Sequence, residues 1–283
     1  MGSRKSLIRQ ISERLHNFKA YGQSKYQDKQ QNGGKPCKDK IYSINTMKSY
    51  HESCCQFAKW AKNTHNCRYI DDAKQYVSEY LTIRTNNNSA WSVCKDASAL
   101  AKLYQCTSTD FGVDLPTRHR GDRIKHNSNP KGFKEEKYRD LADFCRATGL
   151  RRHEVAALTI DDIKTNLKGE TVIHVKQGKG GKQRDVVALN DDIPLKLKER
   201  AIQAGKDHII DHISNRAPIH AWRREFAKEM YSSIARDVST LKSKEVYKCR
   251  DDMKGRCFDR TTMKKVSVAL GHSRVDVVTN YLK

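Results

Sequence analysis

The sequence has no apolar run that approaches the length of a membrane-spanning helix, and only 37% of its 283 residues are hydrophobic. Its first 19 residues alternate charged and apolar side chains, so they lack the uninterrupted apolar stretch of a signal peptide. No strong amphipathic anchor or lipidation signal is visible either. These absences predict a cytoplasmic protein without a membrane partner.

Paired metal-ligand spacing is also absent. The nine cysteines form no CxxC pair and are odd in number, which argues against a zinc ribbon and against a disulfide framework. We interpret them as reduced thiols that pack as small apolar residues. Cys249 and Cys257 flank a predicted turn, and we expect free thiols there as well. A zinc-dependent nucleic-acid binder is therefore the least favoured of the functions considered.

Acidic residues are scarce relative to basic ones. The chain carries 55 Lys and Arg against 33 Asp and Glu, a formal net charge of +22. Residues 1–130 contain 22 basic and 11 acidic side chains, and residues 131–283 contain 33 and 22, so each half is about +11. Two separately basic domains suit a protein that grips a polyanion from two sides, and nucleic acid is favoured over a membrane surface. Solubility alone, or unspecific binding, is the alternative reading of this charge.

Residues 1–115 are predicted to form a helical domain, because apolar residues recur there at helical spacing. The predicted helices are a first that begins near Leu7 and is ended by residues 31–36, a second capped by Ser43 or Asn45, a third over about 71–81, and a fourth from about 89 to 104. Residues 116–132 are basic and poor in apolar side chains, which predicts an interdomain linker. This linker either lies along a DNA backbone or is a plain solvated connection.

Residues 133–283 have a mixed pattern. Helices are predicted around 138–147 and 152–158, followed by a β-hairpin whose strands, near 172–175 and 185–189, flank a Gly-Lys-Gly-Gly turn. Helical pattern returns after Pro194. A second, small hairpin is predicted near 244–258, where the chain is rich in Lys and Arg and the spacing between two motifs described below is unusually long.

Breaking a DNA phosphodiester without a metal requires fixed cationic donors for the phosphate oxygens, a nucleophile, and a general acid for the leaving oxygen. Four segments supply such groups in order along the chain. They are Ala-Thr-Gly-Leu-Arg-Arg-His-Glu at 147–154, Gly-Lys-Gly-Gly-Lys-Gln-Arg at 178–184, His-Ala-Trp-Arg at 220–223, and Leu-Gly-His at 270–272, with Tyr281 nine residues after His272. Each motif is weak alone, and their joint order carries the signal.

With these segments the chain resembles the tyrosine recombinases, the family of phage integrases, Xer-type resolvases and Cre-like enzymes, and most of all those of bacterial mobile elements. The resemblance is detailed over residues 134–281 and looser over 4–115. It implies a mainly α fold with a small β-sheet (α+β): a helical core-binding domain, a linker, and a mixed α/β catalytic domain at 133–283. It also implies a C-shaped clamp around DNA and no cofactor or metal.

The resemblance assigns a role to each motif residue. Arg151 and Arg223 bind the scissile phosphate, Lys179 protonates the leaving 5′ oxygen, and Tyr281 attacks to form a 3′-phosphotyrosyl link without ATP. The supporting groups are His220 and His272, which contact the phosphate and assist proton movement, and Glu154, which orients its neighbours. Further DNA contacts are expected from Lys182, Arg184, Arg152, Arg118 and Arg120.

The implied activity is site-specific recombination, the integration or excision of a mobile element, in the bacterial cytoplasm or nucleoid. The implied partners are double-stranded DNA with paired half-sites, further copies of the chain as a homodimer or homotetramer, and an accessory DNA-bending or directionality factor. Only Leu282 and Lys283 follow Tyr281, which leaves the coupling between subunits open. The alternatives are a type IB topoisomerase or telomere resolvase with the same chemistry, and a catalytically silent DNA-binding regulator on the same scaffold.

Overall fold

A computed structural model describes residues 5–119, 132–178 and 183–282, with only the backbone described for Tyr26 and Asp251. The chain forms two compact units, Met1–Ile124 and Lys125–Lys283, which we call the N-terminal and C-terminal units. The division between them falls inside the stretch 116–132 predicted as a linker, most of which lies outside the described residues. Helices dominate both units and the strands are short, so the predicted α+β fold class is confirmed.

The N-terminal unit is built from helices around one apolar core. Its helices are α1 Leu7–His16, α2 Lys25–Gln31, α3 Ile44–His65, α4 Ile70–Ala73, α5 Val77–Asn87 and α6 Ala90–Leu103. Serine side chains accept hydrogen bonds from the first turns of α1, α3 and α6, and so satisfy backbone donors that have no partner within the helix. The predicted cap Ser43 and the predicted fourth helix are confirmed.

Two helix predictions in this unit were wrong in extent. The first helix ends at His16, and the chain then makes a separate short helix, because Phe18 O accepts from Ile41 N and Ala20 N donates to Ile41 O. This distant pairing uses backbone groups that a longer helix would need. The third helix is split into α4 and α5 by a 3₁₀ turn at Lys74–Tyr76, and α5 continues to Asn87.

The C-terminal unit packs helices against a three-stranded antiparallel sheet. The strands are β1 Ile163–Thr165, β2 Thr171–Val175 and β3 Arg184–Val187, in the order β1-β2-β3. The helices are α7 Arg139–Thr148, α8 Arg152–Ala156, α9 Asp192–Gln203, α10 Ile219–Ile234 and α11 Arg260–Ala269. The predicted hairpin is confirmed as β2 and β3, whereas β1 was not predicted. Phe144, Trp222 and Phe226 lie at the centre of the core, so α7 and α10 pack closely.

The second small hairpin is also confirmed. It consists of β4 Val246–Lys248 and β5 Cys257–Asp259, paired antiparallel with Lys248 opposite Cys257. Cys249 is buried and Cys257 is exposed, and neither is in a disulfide. Arg236 anchors the base of the hairpin, where its guanidinium donates to both carboxylate oxygens of the buried Asp259.

Candidate active site

Arg151 and Glu154 are held by the turn that follows α7. Gly149 ends α7 with a left-handed φ of +61°, and a Cβ at this position would lie 2.3 Å from a ring carbon of Phe226. Only glycine fits that backbone and that contact. The chain then enters α8, where Glu154 accepts from the Arg151 backbone N at 2.8 Å and from Arg151 Nη1 at 2.8 Å. This capping arrangement fixes the Arg151 guanidinium beside the carboxylate of Glu154, which lies about one helical turn later in the sequence.

Arg223 approaches the same point from α10. Its side chain is completely buried, and its two terminal nitrogens donate to the backbone carbonyls of Gly149 and Leu270. Arg151 Nη2 also donates to Leu270 O, at 3.0 Å. A single carbonyl oxygen therefore brings the two guanidinium groups together, although the two arginines are far apart in sequence.

The nucleophile candidate lies against Arg223. Tyr281 follows a 3₁₀ turn at Val275–Asn280, and its backbone N donates to Val278 O at 2.8 Å. Its hydroxyl accepts from Arg223 Nε at 3.5 Å and lies 3.3 Å from His272 Nε2, and the Arg223 guanidinium sits 5.6 Å from the centre of the Tyr281 ring. The structure thus brings Arg151, Arg223, His272 and Tyr281 of one chain together.

His220 lies in the first turn of α10, one turn before Arg223. The imidazole is exposed, whereas Arg223 points into the core. Partial loss of hydration lowers the pKa of His220, and the positive charges of Arg223 and Arg151 lower it further. A lowered pKa keeps His220 mostly neutral at pH 7, so one ring nitrogen can accept a hydrogen bond from a proton donor.

Glu154 is a buried carboxylate shared between two arginines. Burial alone would raise its pKa, but hydrogen bonds from Arg184 and from the backbone and side chain of Arg151 outweigh that effect and lower the pKa to about 2. The carboxylate therefore stays ionised. Burial also disfavours the charged form of Arg223, and so lowers the pKa of its guanidinium. Among the described residues, the acceptors of Arg223 are two carbonyl oxygens and the Tyr281 hydroxyl, and none is a carboxylate.

The charge balance of this cluster is strongly positive. The cluster contains three guanidinium groups, those of Arg151, Arg184 and Arg223, and one carboxylate, Glu154, which pairs with Arg151 and Arg184 within the described part of the chain. Two of these positive charges have no anionic partner of their own among the described residues, in a buried setting. Since uncompensated buried charge is costly, such an arrangement is typical of a site that binds an anion.

The remaining predicted residues are placed differently. Lys179, Lys182 and Arg120 lie outside the described residues. Arg118 is exposed and therefore accessible to solvent, and its guanidinium lies 5.4 Å from the centre of the Trp91 ring. Among the residues described, no group of three or more His, Cys, Asp or Glu is placed to hold a metal ion.

Arg152 and Arg184 were predicted to contact DNA, and the structure gives their donors other acceptors. Arg152 donates to Ser214 O at 2.7 Å and to Ala217 O at 2.8 Å, which ties α8 to the segment before α10. Arg184 is directed inward to Glu154. The alternation of side chains along β3 predicts that Arg184 points inward, because residues 184 and 186 lie on the same face of the strand and Val186 is a core residue.

The ionisation of Glu154 should make the free energy of unfolding depend on pH in the acid range. Its pKa in the folded protein, about 2, lies below the ordinary value of 4.5, so its stabilising effect is complete above pH 4.5 and is lost as the pH falls towards 2. The size of the effect is about 3 kcal/mol. We expect Glu154→Gln to be less stable than wild type at pH 6, with the difference in free energy of urea unfolding shrinking towards pH 3. The exposed Glu229→Gln variant should show no such convergence, and parallel pH curves for Glu154→Gln and wild type would contradict the prediction.

Comparison with solved structures finds the same fold over almost the whole chain. XerH site-specific recombinase bound to palindromic difH substrate, in a post-cleavage complex, aligns over 97% of this chain and 90% of its own, with a TM-score of 0.56 and 16% identity. XerH in the pre-cleavage complex with difH aligns over 100% and 95%, with a TM-score of 0.55 and 16% identity. The Tn1549 transposon integrase in complex with transposon right end DNA aligns over 96% and 94%, with a TM-score of 0.46 and 12% identity.

No protein-family model and no curated protein matches the chain. None of the helices in the described residues is long and apolar enough to span a membrane. The likeness to XerH extends through both units, and it agrees with the resemblance drawn from the four motifs. The chain has the fold of the tyrosine recombinases.

Proposed function

We propose that this protein is a site-specific DNA recombinase that cuts and rejoins strands through a 3′-phosphotyrosyl intermediate. The observation that carries the proposal is a buried cluster in which Arg151 and Arg184 pair with Glu154, and Arg223 shares the Leu270 carbonyl with Arg151. The Tyr281 hydroxyl accepts from Arg223. A phosphodiester supplies one negative charge, and attack by a tyrosine oxygen adds a second in the transition state. The two excess positive charges of the cluster match that change.

The geometry supports a sequence of steps in one active site. The Tyr281 oxygen attacks phosphorus, and its proton passes to His272, whose Nε2 lies 3.3 Å from the hydroxyl. Arg151 and Arg223 stabilise the non-bridging oxygens, and His220 donates a hydrogen bond from its ring N–H to the phosphate at the rim. The bond from phosphorus to the 5′ oxygen then breaks. The leaving oxygen takes a proton from Lys179, a role that rests on the resemblance to the family because Lys179 lies outside the described residues. Attack of a 5′ hydroxyl on the phosphotyrosine reverses these steps, so no ATP is consumed.

The same arrangement supports cleavage in cis. Tyr281 lies against Arg223 and His272 of its own chain, so one subunit supplies both the nucleophile and the phosphate-binding groups. We propose double-stranded DNA with paired half-sites as substrate, bound by a homodimer or homotetramer in which the two domains of each chain form a C-shaped clamp around it. The cellular setting proposed is the bacterial cytoplasm, and the biological role is integration or excision of a mobile element, assisted by a DNA-bending or directionality factor.

A nicked suicide substrate tests the chemistry. The duplex should carry a site selected by the protein from a random-sequence pool, with a nick that lets the short downstream strand diffuse away after cleavage. Wild type is expected to form a denaturant-resistant adduct with the fragment that ends in the 3′ phosphate, and to release a 5′ hydroxyl that a kinase can label. Tyr281→Phe should give no adduct, because the nucleophilic oxygen is missing.

The matched control is Tyr231→Phe, which removes a hydroxyl from the same unit, away from the cluster, where it accepts from Asp259 N at 2.8 Å. This variant should still form the adduct. An adduct that persists in Tyr281→Phe would refute the proposal. DNA binding without any adduct in wild type would instead favour a silent regulator, and relaxation of supercoiled plasmid that lacks the selected site would favour a topoisomerase.

A further inference from the structure

Arg184 occupies an internal position at the beginning of β3. Its side chain is 8% exposed. Nη1 donates to Glu154 Oε1 at 2.9 Å, Nη2 to Glu154 Oε2 at 2.8 Å, and Nε to Ala269 O at 3.0 Å. All three nitrogens are thus engaged within the protein, two of them in a bidentate pair with a carboxylate. Such a pair holds its partner in one orientation.

The carboxylate that Arg184 holds is the one that positions Arg151. Glu154 Oε1 also accepts from Arg151 Nη1 and Oε2 from the Arg151 backbone N, each at 2.8 Å. Within the part of the chain that the structure describes, the side-chain hydrogen bonds that fix Glu154 come from Arg151 and Arg184. Arg184 is therefore the one group besides Arg151 whose side chain holds this carboxylate within the described residues.

The Leu-Gly-His segment is tied to the same side chain. Arg184 Nε bonds Ala269 O, and a Cβ at Gly271 would lie 3.0 Å from Arg184 Nη1 and 3.1 Å from its Cζ. Gly271 also has a left-handed φ of +65°, so glycine is required there by both backbone and contact. Leu270 lies between Ala269 and Gly271, and its carbonyl accepts from both Arg151 and Arg223. His272 follows Gly271 directly.

We propose that Arg184 is a positioning residue for the cleavage reaction. It orients Arg151 through Glu154 and holds the turn at 269–271 that carries the shared carbonyl of Leu270 and leads to His272. Its hydrogen bonds go to Glu154 and to Ala269 O and not to Tyr281, so two active-site segments from distant parts of the chain meet at its guanidinium. This inference rests on the proposed function, because the geometry that Arg184 maintains matters only if a phosphate is bound between Arg151 and Arg223.

The test compares two substrates in the suicide-cleavage assay. One carries the natural scissile phosphate, and the other a methylphosphonate, in which a neutral methyl group replaces one non-bridging oxygen. Arg184→Met is expected to slow cleavage of the phosphate about a hundredfold, since a displaced guanidinium stabilises developing charge poorly. On the methylphosphonate, which needs less cationic stabilisation, the loss should be less than about tenfold. Arg151→Ala should show the same selectivity.

The matched control is Arg236→Met. Arg236 makes a comparable bidentate pair with the buried Asp259 in the same unit, away from the active-site cluster. It should reduce thermal stability while leaving the ratio of phosphate to methylphosphonate cleavage at the wild-type value. Equal losses on both substrates for Arg184→Met, or the same selectivity in Arg236→Met, would overturn the positioning role.

Two further variants keep the proposal testable if Arg184→Met folds poorly. Arg184→Lys retains the charge but loses the fork, and should recover part of the cleavage rate while keeping the selective loss on phosphate. Glu154→Gln combined with Arg184→Met should be no slower than the worse single variant, because both act through the same orientation of Arg151. Additive losses in the double variant would argue against a shared route.

Binding of inorganic phosphate separates this inference from the proposed function. At constant ionic strength, phosphate should raise the unfolding temperature of wild type and of Arg236→Met equally, and that of Arg184→Met by less. Absence of any adduct with wild type would reject the recombinase function. Equal stabilisation of wild type and Arg184→Met by phosphate would reject the positioning role.

Discussion

Replacing Gly149 by alanine is expected to destabilise the C-terminal unit more than the same change at any other glycine for which the structure describes the surroundings. The residue has a φ of +61°, which costs an L-amino acid about 1–2 kcal/mol. The added Cβ would also lie 2.3 Å from the buried ring of Phe226, which adds roughly 1–3 kcal/mol of overpacking. Thermal or urea unfolding should show a combined loss of about 2–5 kcal/mol.

Gly169→Ala is the matched control. Gly169 lies in the same unit and has a φ of +82°, but within the described parts of the chain no atom beyond its immediate neighbours lies within 4 Å of the place that a Cβ would take. That variant bears the backbone strain alone and should lose about 1–2 kcal/mol. If both glycine variants lose the same free energy, the contact with Phe226 is not what makes Gly149 necessary. Movement of Phe226 would also shift Arg223, whose Nη1 donates to Gly149 O, so cleavage should fall with stability.

Arg223→Lys is expected to cause a loss of about a thousandfold in the rate of adduct formation. The guanidinium of Arg223 reaches two carbonyl oxygens and the Tyr281 hydroxyl at once. A lysine ammonium is a single point of charge and cannot hold this geometry while also contacting a phosphate oxygen. The rate constant for adduct formation, measured at saturating protein, isolates this effect from DNA affinity.

DNA affinity itself should change little in Arg223→Lys, because overall binding depends on many phosphate contacts from two basic domains. Arg224→Lys is the control for the substitution, since Arg224 is exposed on the same helix and adjoins Arg223. Its rate of adduct formation should match wild type. An Arg223→Lys variant that cleaves at the wild-type rate would show that the buried cation does not stabilise the transition state.

The fold was predictable from sequence wherever one local rule decided the structure. Periodic apolar residues and a serine cap predict α6, and strand propensity around a glycine-rich turn predicts the β2–β3 hairpin. The prediction was wrong after His16, where backbone pairing with Ile41 competes with helix continuation. The three-residue strand β1 was missed because it is too short for a periodic signal and depends on its pairing with β2.

The candidate site was predictable as a set of residue types and less so as a set of contacts. Motif spacing identified Arg151, Arg223, His272 and Tyr281, which the structure brings together. It did not identify the Leu270 carbonyl that joins the two arginines, since a backbone acceptor has no sequence signature. It also assigned Arg184 to DNA, because an arginine beside a lysine-rich turn resembles a phosphate contact until its burial is known.

By itself, the sequence determined which chemical groups this protein has available. These are the basic side chains of two domains, four motifs in a fixed order, and a tyrosine nine residues after the histidine of the last motif. Those features are local or compositional, and chain order preserves them. Only the tertiary structure decided which charges are compensated. Arg151, Arg184 and Arg223 come from three separate segments. Glu154 accepts from Arg151 and Arg184, and the Leu270 carbonyl accepts from Arg151 and Arg223, because folding removes water and forces each donor to find a protein acceptor.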